Sequence, residues 1–278
     1  MQNASLISIP PLPEALVNCL TYMYKDNFNY GAMVKKISLD IGISQQILNA
    51  ANSQYFSQGA PPISNLKHAV VRLGGKNILK ILTESYYKNL FKNTEIDFFT
   101  LKRFNRHSNF VSHLAVSLAE HLNIENTSDL LIGSLFHDVG HIARCHCQTE
   151  IMKKVIQKCK EKNTDFYTSE ILEQVPTHNT FGSQIAQEWQ LNSRVCYLIS
   201  HHHSHPDENF LDNTDSDLQR ELAILTFSDV IAHRMSYGYN NYERETKVNQ
   251  QFLDRIGITS ELATKKAKEA FFAVSGLC

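Results

Sequence analysis

The chain has 278 residues, of which 42% are hydrophobic and 20% charged, and its formal net charge is -1. That composition suits one large or two small globular domains, and the near-neutral charge gives no electrostatic case for nucleic acid or an anionic membrane surface. The one anomaly is a count of 13 histidines.

None of the six cysteines forms a CxxC pair. The opening MQNASLISIPPLPEAL lacks a basic segment followed by an apolar run. No stretch of roughly 18 apolar residues could span a bilayer. These features predict a cytoplasmic protein with reduced thiols.

The first third reads as helical. IPPLPEALVNCLTYMY starts with prolines and then places Leu16, Leu20 and Met23 at helical spacing. NYGAMVKKISLDIG puts Met33, Ile37 and Ile41 on one face, and Ser44 is the expected N-cap of SQQILNAANSQYF. After the turn-rich SQGAPPISN, the segment LKHAVVRLGGKNILKILTESYYKNLF predicts two helices broken at Gly74-Gly75.

NTEIDFFT, residues 93–100, is the best candidate boundary, dividing an N-terminal bundle (1–95) from a second helical unit (96–278). Further helices are expected over 101–122, 127–138, 142–161, 179–189, 192–203, 218–236 and 260–275. HPDENFLDNTDSD reads as an exposed polar loop. No alternating strand pattern, repeat or Gly-rich phosphate loop interrupts this all-α reading.

Several of these helices carry a metal-binding side chain on their apolar stripe. His107 sits among Phe104, Phe110, Val111, Leu114 and Leu118. His137-Asp138 closes the apolar run LLIGSLF at what reads as a turn, Val139-Gly140. His178 precedes Gly182 by one turn, with Ile185 and Trp189 continuing the apolar face. In SRVCYLISHHH, steps of three and four from Ile199 point His202 and His203 inward and leave His201 as the outlier.

Asp229 shares a face with Leu222, Leu225 and Thr226, and a buried aspartate needs a cationic partner or a metal. His233 follows one turn later as an outer partner. Each histidine alone also fits a blander reading, a core imidazole bonded to a backbone carbonyl or a solvated cap residue. For Asp138 the bland reading is a pairing with a histidine or a cap on the next helix. His205 extends the histidine run and favours a surface cluster there.

Together, His107, His137, Asp138, His178, His202, His203 and Asp229 supply more ligands than one zinc needs. Imidazole with carboxylate suits iron above all, with zinc, manganese or nickel as alternatives. Two cations bridged by Asp138 would use all seven residues, and such pairs activate water for in-line phosphoryl displacement. A rival cluster in HIARCHC, comprising His141, Cys145, His146 and Cys147, does not converge on one helix face.

The order H…HD…H…HH…D across residues 107–229 resembles the HD superfamily of metal-dependent phosphohydrolases, and most closely its HD-GYP branch, which hydrolyses cyclic dinucleotides. The seven residues named above fall on that family's metal-ligand positions. The chain departs from HD-GYP at three points: His141 stands where lysine is expected after HD-x-G, no GYP motif follows HHHSHPDENF, and Arg103 stands where some relatives carry glutamate.

IPPLPEAL, ILNAANSQYF and ISNLKHAVVRLGG in turn resemble the HDOD domain of bacterial signalling proteins, as do the later HSNFVSHLAVSLA and GSLFHDVGH. In this chain Asp40-Ile41 replaces an expected Asp-Pro. The resemblance implies an all-α fold, a helical bundle packed on an HD-like helical core.

It also implies two functions. One is a metal-dependent phosphohydrolase acting on a phosphoester or nucleotide, with Asp138 as the bridging catalytic carboxylate and His141 as candidate proton donor. The other is a non-catalytic signalling module that recruits protein partners around a structural or vestigial metal.

Overall fold

A computed structural model describes residues 9–25, 29–91, 100–203, 216–235, 237, 253–254 and 256–275. Every regular element among them is an α-helix. The polar loop at 205–215, His205 within it, and most of NTEIDFFT lie outside the described residues. No described helix is long and apolar enough to cross a membrane.

The chain divides into two compact units. The smaller comprises Leu12–Asn89 with Glu269–Cys278, and the larger comprises Leu90–Lys268 with Met1–Pro11. The smaller unit contains α1 (Glu14–Met23), α2 (Tyr30–Ile37), α3 (Ile41–Ala51), the short α4 (Gln54–Ser57) and most of α5 (Leu66–Leu90). Its buried stripe includes Leu16, Leu20, Met33 and Ile37, as periodicity predicts, together with Ile47, whereas Met23, expected on the same stripe, is only half-buried.

Ile41 corrects that pattern. It is 85% exposed, because α2 has already ended at Ile37 and α3 starts at Ile41 itself. The N-cap of α3 is Asp40, whose carboxylate accepts from Ile43 N at 2.9 Å. Ser44, expected in that role, lies inside the helix. A cap of this kind is worth about 1 kcal/mol.

The break in α5 falls at Gly74, whose φ of 72° and ψ of 164° lie outside helical space. A side chain is strained at such a φ, so glycine is the residue that permits the kink.

The larger unit holds α6 (Leu101–His121), α7 (Ser128–Phe136), α8 (Val139–Cys147), α9 (Thr149–Lys162), α10 (Phe166–Leu172), α11 (His178–Glu188), α12 (Ser193–His201) and α13 (Ser216–Arg234). The last helix, α14 (Ser260–Ser275), begins in it. Helix α6 packs on α7 and α13, α11 packs on α8 and α12, and α12 also meets α7 and α13. Phe104, Phe110, Leu114 and Leu118 are wholly buried along α6, each contributing about 1.5–3 kcal/mol of hydrophobic stabilisation.

Two expectations change here. Val139-Gly140 is no turn: α7 stops at Phe136, His137 and Asp138 form the joint, and α8 starts at Val139. Gly140 is small for packing, since a Cβ there would lie 2.0 Å from the carbonyl oxygen of His178. The expected helix over 142–161 is likewise two helices, parted at Gln148 (φ −132°, ψ 42°).

Helix α10 was not expected. Its signal is Asp165, an N-cap accepting from Thr168 N at 2.7 Å and Thr168 Oγ1 at 3.0 Å.

Candidate metal centre

The joint between α7 and α8 delivers His137 and Asp138 to the middle of the larger unit, both buried. As N-cap residue of α8, Asp138 makes no side-chain capping bond; its carboxylate faces imidazoles instead. Oδ2 lies 3.3 Å from His107 Nε2 and 3.0 Å from His137 Nε2. Oδ1 lies 3.4 Å from His178 Nε2 and 3.5 Å from His202 Nε2. The two oxygens thus address different partners.

Around Oδ2, α6 contributes His107 and α13 contributes Asp229. Asp229 Oδ1 is 3.1 Å from His107 Nε2 and 3.7 Å from His137 Nε2, and the two imidazole Nε2 atoms are 3.2 Å apart. Around Oδ1, the first residue of α11 and the end of α12 contribute His178, His202 and His203, with His203 Nε2 at 2.8 Å from His178 Nε2. Each set of four offers ligand atoms within 4.8 Å of one another: His107, His137, Asp138 and Asp229 in one, and Asp138, His178, His202 and His203 in the other.

All seven sequence-predicted ligands therefore converge. His201 does not. Its ring stacks on Tyr197 at 4.1 Å, and its Nδ1 bonds locally to the Tyr197 carbonyl at 3.0 Å. His233 meets Asp229 Oδ1 at 3.1 Å and lies against the His107 ring. In HIARCHC, His146 turns instead to the Leu90 carbonyl, and Cys145 and Cys147 are free thiols.

Hydrogen bonds fix which nitrogen each ring presents. His137 Nδ1 donates to Ser134 O at 2.8 Å and His202 Nδ1 to Ile199 O at 2.7 Å. In the neutral ring each Nε2 then carries its lone pair into the cluster. For His202 that nitrogen is buried without a hydrogen-bond partner and faces the Asp138 carboxylate, a second acceptor. Acceptors buried face to face need a cation between them. Spacings of 2.8–3.7 Å between neighbouring donors match ligands placed about 2.1 Å from a shared ion. The residues fit a metal.

Electrostatics agree with this arrangement. Burial works to lower the His137 pKa, but Asp138 and Asp229 raise it to about 10. Burial opposes His178 too, and Glu170 and Asp138 lift it to about 9. Both cluster carboxylates are held well below their usual range: burial would raise them, but His137, His107 and His178 act on Asp138, and His233, His107 and His137 on Asp229. Burial and neighbouring imidazoles hold His203 well below an ordinary histidine, and burial lowers His202. Without metal, protons on the raised imidazoles balance the carboxylates.

Sequence reasoning missed Glu170. It lies wholly buried on α10, its Oε2 accepting from His178 Nδ1 at 2.8 Å and from the His178 backbone N–H at 2.7 Å. Its Oε1 pairs with the equally buried Arg144. A buried acid four residues after a helix start, with arginine on another helix, leaves no local sequence signature. His141, the sequence's proton-donor candidate, is wholly buried, and its ring stacks on that of His178 at 3.9 Å and 22°. Burial and the nearby His178 hold its pKa well below the ordinary value.

The HDOD domain family matches residues 9–205, and no curated protein matches the chain. Solved structures with the same fold include an HDOD domain protein with unknown function from Geobacter sulfurreducens (19% identity, TM-score 0.79), across 97% of this chain and 92% of that one. A Marinobacter aquaeolei VT8 protein, provisionally named for signal transduction, shares 16% identity at TM-score 0.73; the match takes in 97% of this chain but 58% of that longer one. A Shewanella amazonensis SB2B protein, provisionally named a metal-dependent phosphohydrolase, shares 18% identity at TM-score 0.61, covering 98% and 93%.

Proposed function

The chain belongs to the HDOD family, and on that premise we propose that its histidine–aspartate cluster holds two divalent transition-metal ions, bridged by Asp138, for hydrolysis of a phosphoester or nucleotide. The observation that carries this reading is the division of Asp138: one oxygen meets His107 and His137, the other His178 and His202. With Asp229 and His203 the donor set becomes two quartets sharing one carboxylate. Imidazole with carboxylate, and no thiolate, favours iron, with zinc, manganese and nickel as alternatives. The provisional name of the Shewanella relative agrees.

When bound, such an ion pair lowers the pKa of water and stabilises charge on phosphoryl oxygens. The chain's own part is to hold the donors fixed. The Ser134 and Ile199 carbonyls orient His137 and His202, His233 supports Asp229, and the buried rings of the cluster limit water. His141, neutral in this setting, contributes its stack against His178. The same reading takes the protein to be cytoplasmic, with its thiols reduced.

A second reading rests on burial. Six of the seven ligands are at most 4% exposed, which suits a structural metal in a signalling module that recruits protein partners. Elemental analysis of the purified protein, followed by assay on a panel of nucleotides and a generic phosphodiester, separates the two. Two ions per chain with turnover abolished by Asp138→Ala supports the hydrolase. Ions without turnover across the panel support the module. Fewer than two ions per chain removes the two-metal reading.

A further inference from the structure

His178 is held by three restraints outside the ligand set. Its Nδ1–H and its backbone N–H both donate to Glu170 Oε2, at 2.8 and 2.7 Å, and the His141 ring covers one face at 3.9 Å. His137 and His202 lean on neutral backbone carbonyls through Nδ1, whereas His178 Nδ1 leans on a carboxylate. Glu170 is in turn fixed by Arg144, whose guanidinium also donates to the Pro176 carbonyl, just before α11. Arg144 and Glu170 are both wholly buried.

A buried ion pair of this kind is a weak source of stability compared with apolar packing, so its placement beside a ligand points to another role. A carboxylate accepting from Nδ1–H fixes the tautomer that presents Nε2, and it makes that nitrogen a stronger donor.

From this arrangement we infer that Glu170, anchored by Arg144, is a positioning residue for one metal position only, the one built from His178, His202, His203 and Asp138. It makes that position distinct from the one built from His107, His137, Asp138 and Asp229. The inference rests on the two-ion reading above.

The test is titration of the metal-free full chain with cobalt(II), following visible absorption and calorimetric stoichiometry. Glu170→Gln/Arg144→Met removes both charges together. Glu170→Asp keeps the counter-charge for Arg144 while withdrawing the carboxylate from His178. In both variants one ion should bind as in the unaltered chain, and the other should bind about 10–100-fold more weakly. The absorption lost should be that which Asp229→Asn retains. A purely structural role would weaken both ions alike; that result, or two ions at unchanged affinity, overturns the inference alone. Fewer than two ions in the unaltered chain overturns the reading beneath it.

Discussion

Gly140 and His178 touch through their backbones: a Cβ on Gly140 would lie 2.0 Å from the His178 carbonyl oxygen and 2.8 Å from its carbonyl carbon. Helix α8 can approach the start of α11 only because position 140 lacks a side chain, and that approach brings His178 to Asp138. Gly140→Ala should therefore cost about 3 kcal/mol or more, despite the better helix propensity of alanine. Gly133→Ala is the milder comparison, because its Cβ would meet Leu198 Cδ1 at 3.0 Å and Cβ at 3.1 Å rather than backbone at 2.0 Å, a tight contact that costs about 1–2 kcal/mol. Chemical denaturation of the two variants measures the difference, and equal stabilities would contradict the close-approach argument.

The pH dependence of the metal-free protein follows from opposing shifts. His137 and His178 are raised from 6.5 to about 10 and about 9. Their stabilising contribution is complete below pH 6.5 and is lost as pH rises through those values. His141, His202 and His203 are lowered, so their contribution is present above 6.5 and lost as pH falls. The depressed Asp138 and Asp229 carboxylates add a further loss at acid pH. Thermal stability of the metal-free chain should peak near pH 6.5 and decline toward pH 9. Metal displaces the imidazole protons, so the alkaline decline should vanish in the loaded protein and metal affinity should rise with pH. Melting curves across pH 5–9, with and without metal, check both signs.

The helical stripes and the seven converging residues were legible because each obeys a local rule. His107 and Asp229 stand on apolar faces, and the step from Ile199 separates His202 and His203 from His201. Three features were not legible, each for a tertiary reason. Val139-Gly140 resembles a turn in sequence, and only the packing of α11 shows why a glycine sits inside a helix. Ile41 continues an apolar period that Asp40 cuts by capping. Glu170 is an ordinary acid on a short helix until Arg144 and His178 close on it.

Asp138 and Asp229 should differ in what they remove. Asp138→Asn alters the carboxylate shared by both quartets and should lower the occupancy of both ions. Asp229→Asn touches one quartet and should leave one ion per chain. In the metal-free state each change strips a buried counter-charge from imidazoles within 3.0–3.7 Å, a loss of about 3–5 kcal/mol. Elemental analysis with calorimetric titration distinguishes the pair. Equal metal content in the two variants would argue against a bridging Asp138.

The histidine run offers a test within three consecutive residues. His201 bonds to the Tyr197 carbonyl and stacks on its ring, so His201→Ala should leave metal content unchanged and cost about 0.5 kcal/mol, as at other partly exposed sites. His202 is wholly buried, its Nδ1 held by Ile199 O and its Nε2 facing Asp138. His202→Ala should weaken one ion by at least about tenfold while leaving the His107–Asp229 side loaded. His203→Ala should weaken the same ion, since His203 Nε2 meets His178 Nε2 at 2.8 Å. Metal titration of the three variants ranks them, and a His201→Ala protein that loses metal would move the ligand assignment one residue along the chain.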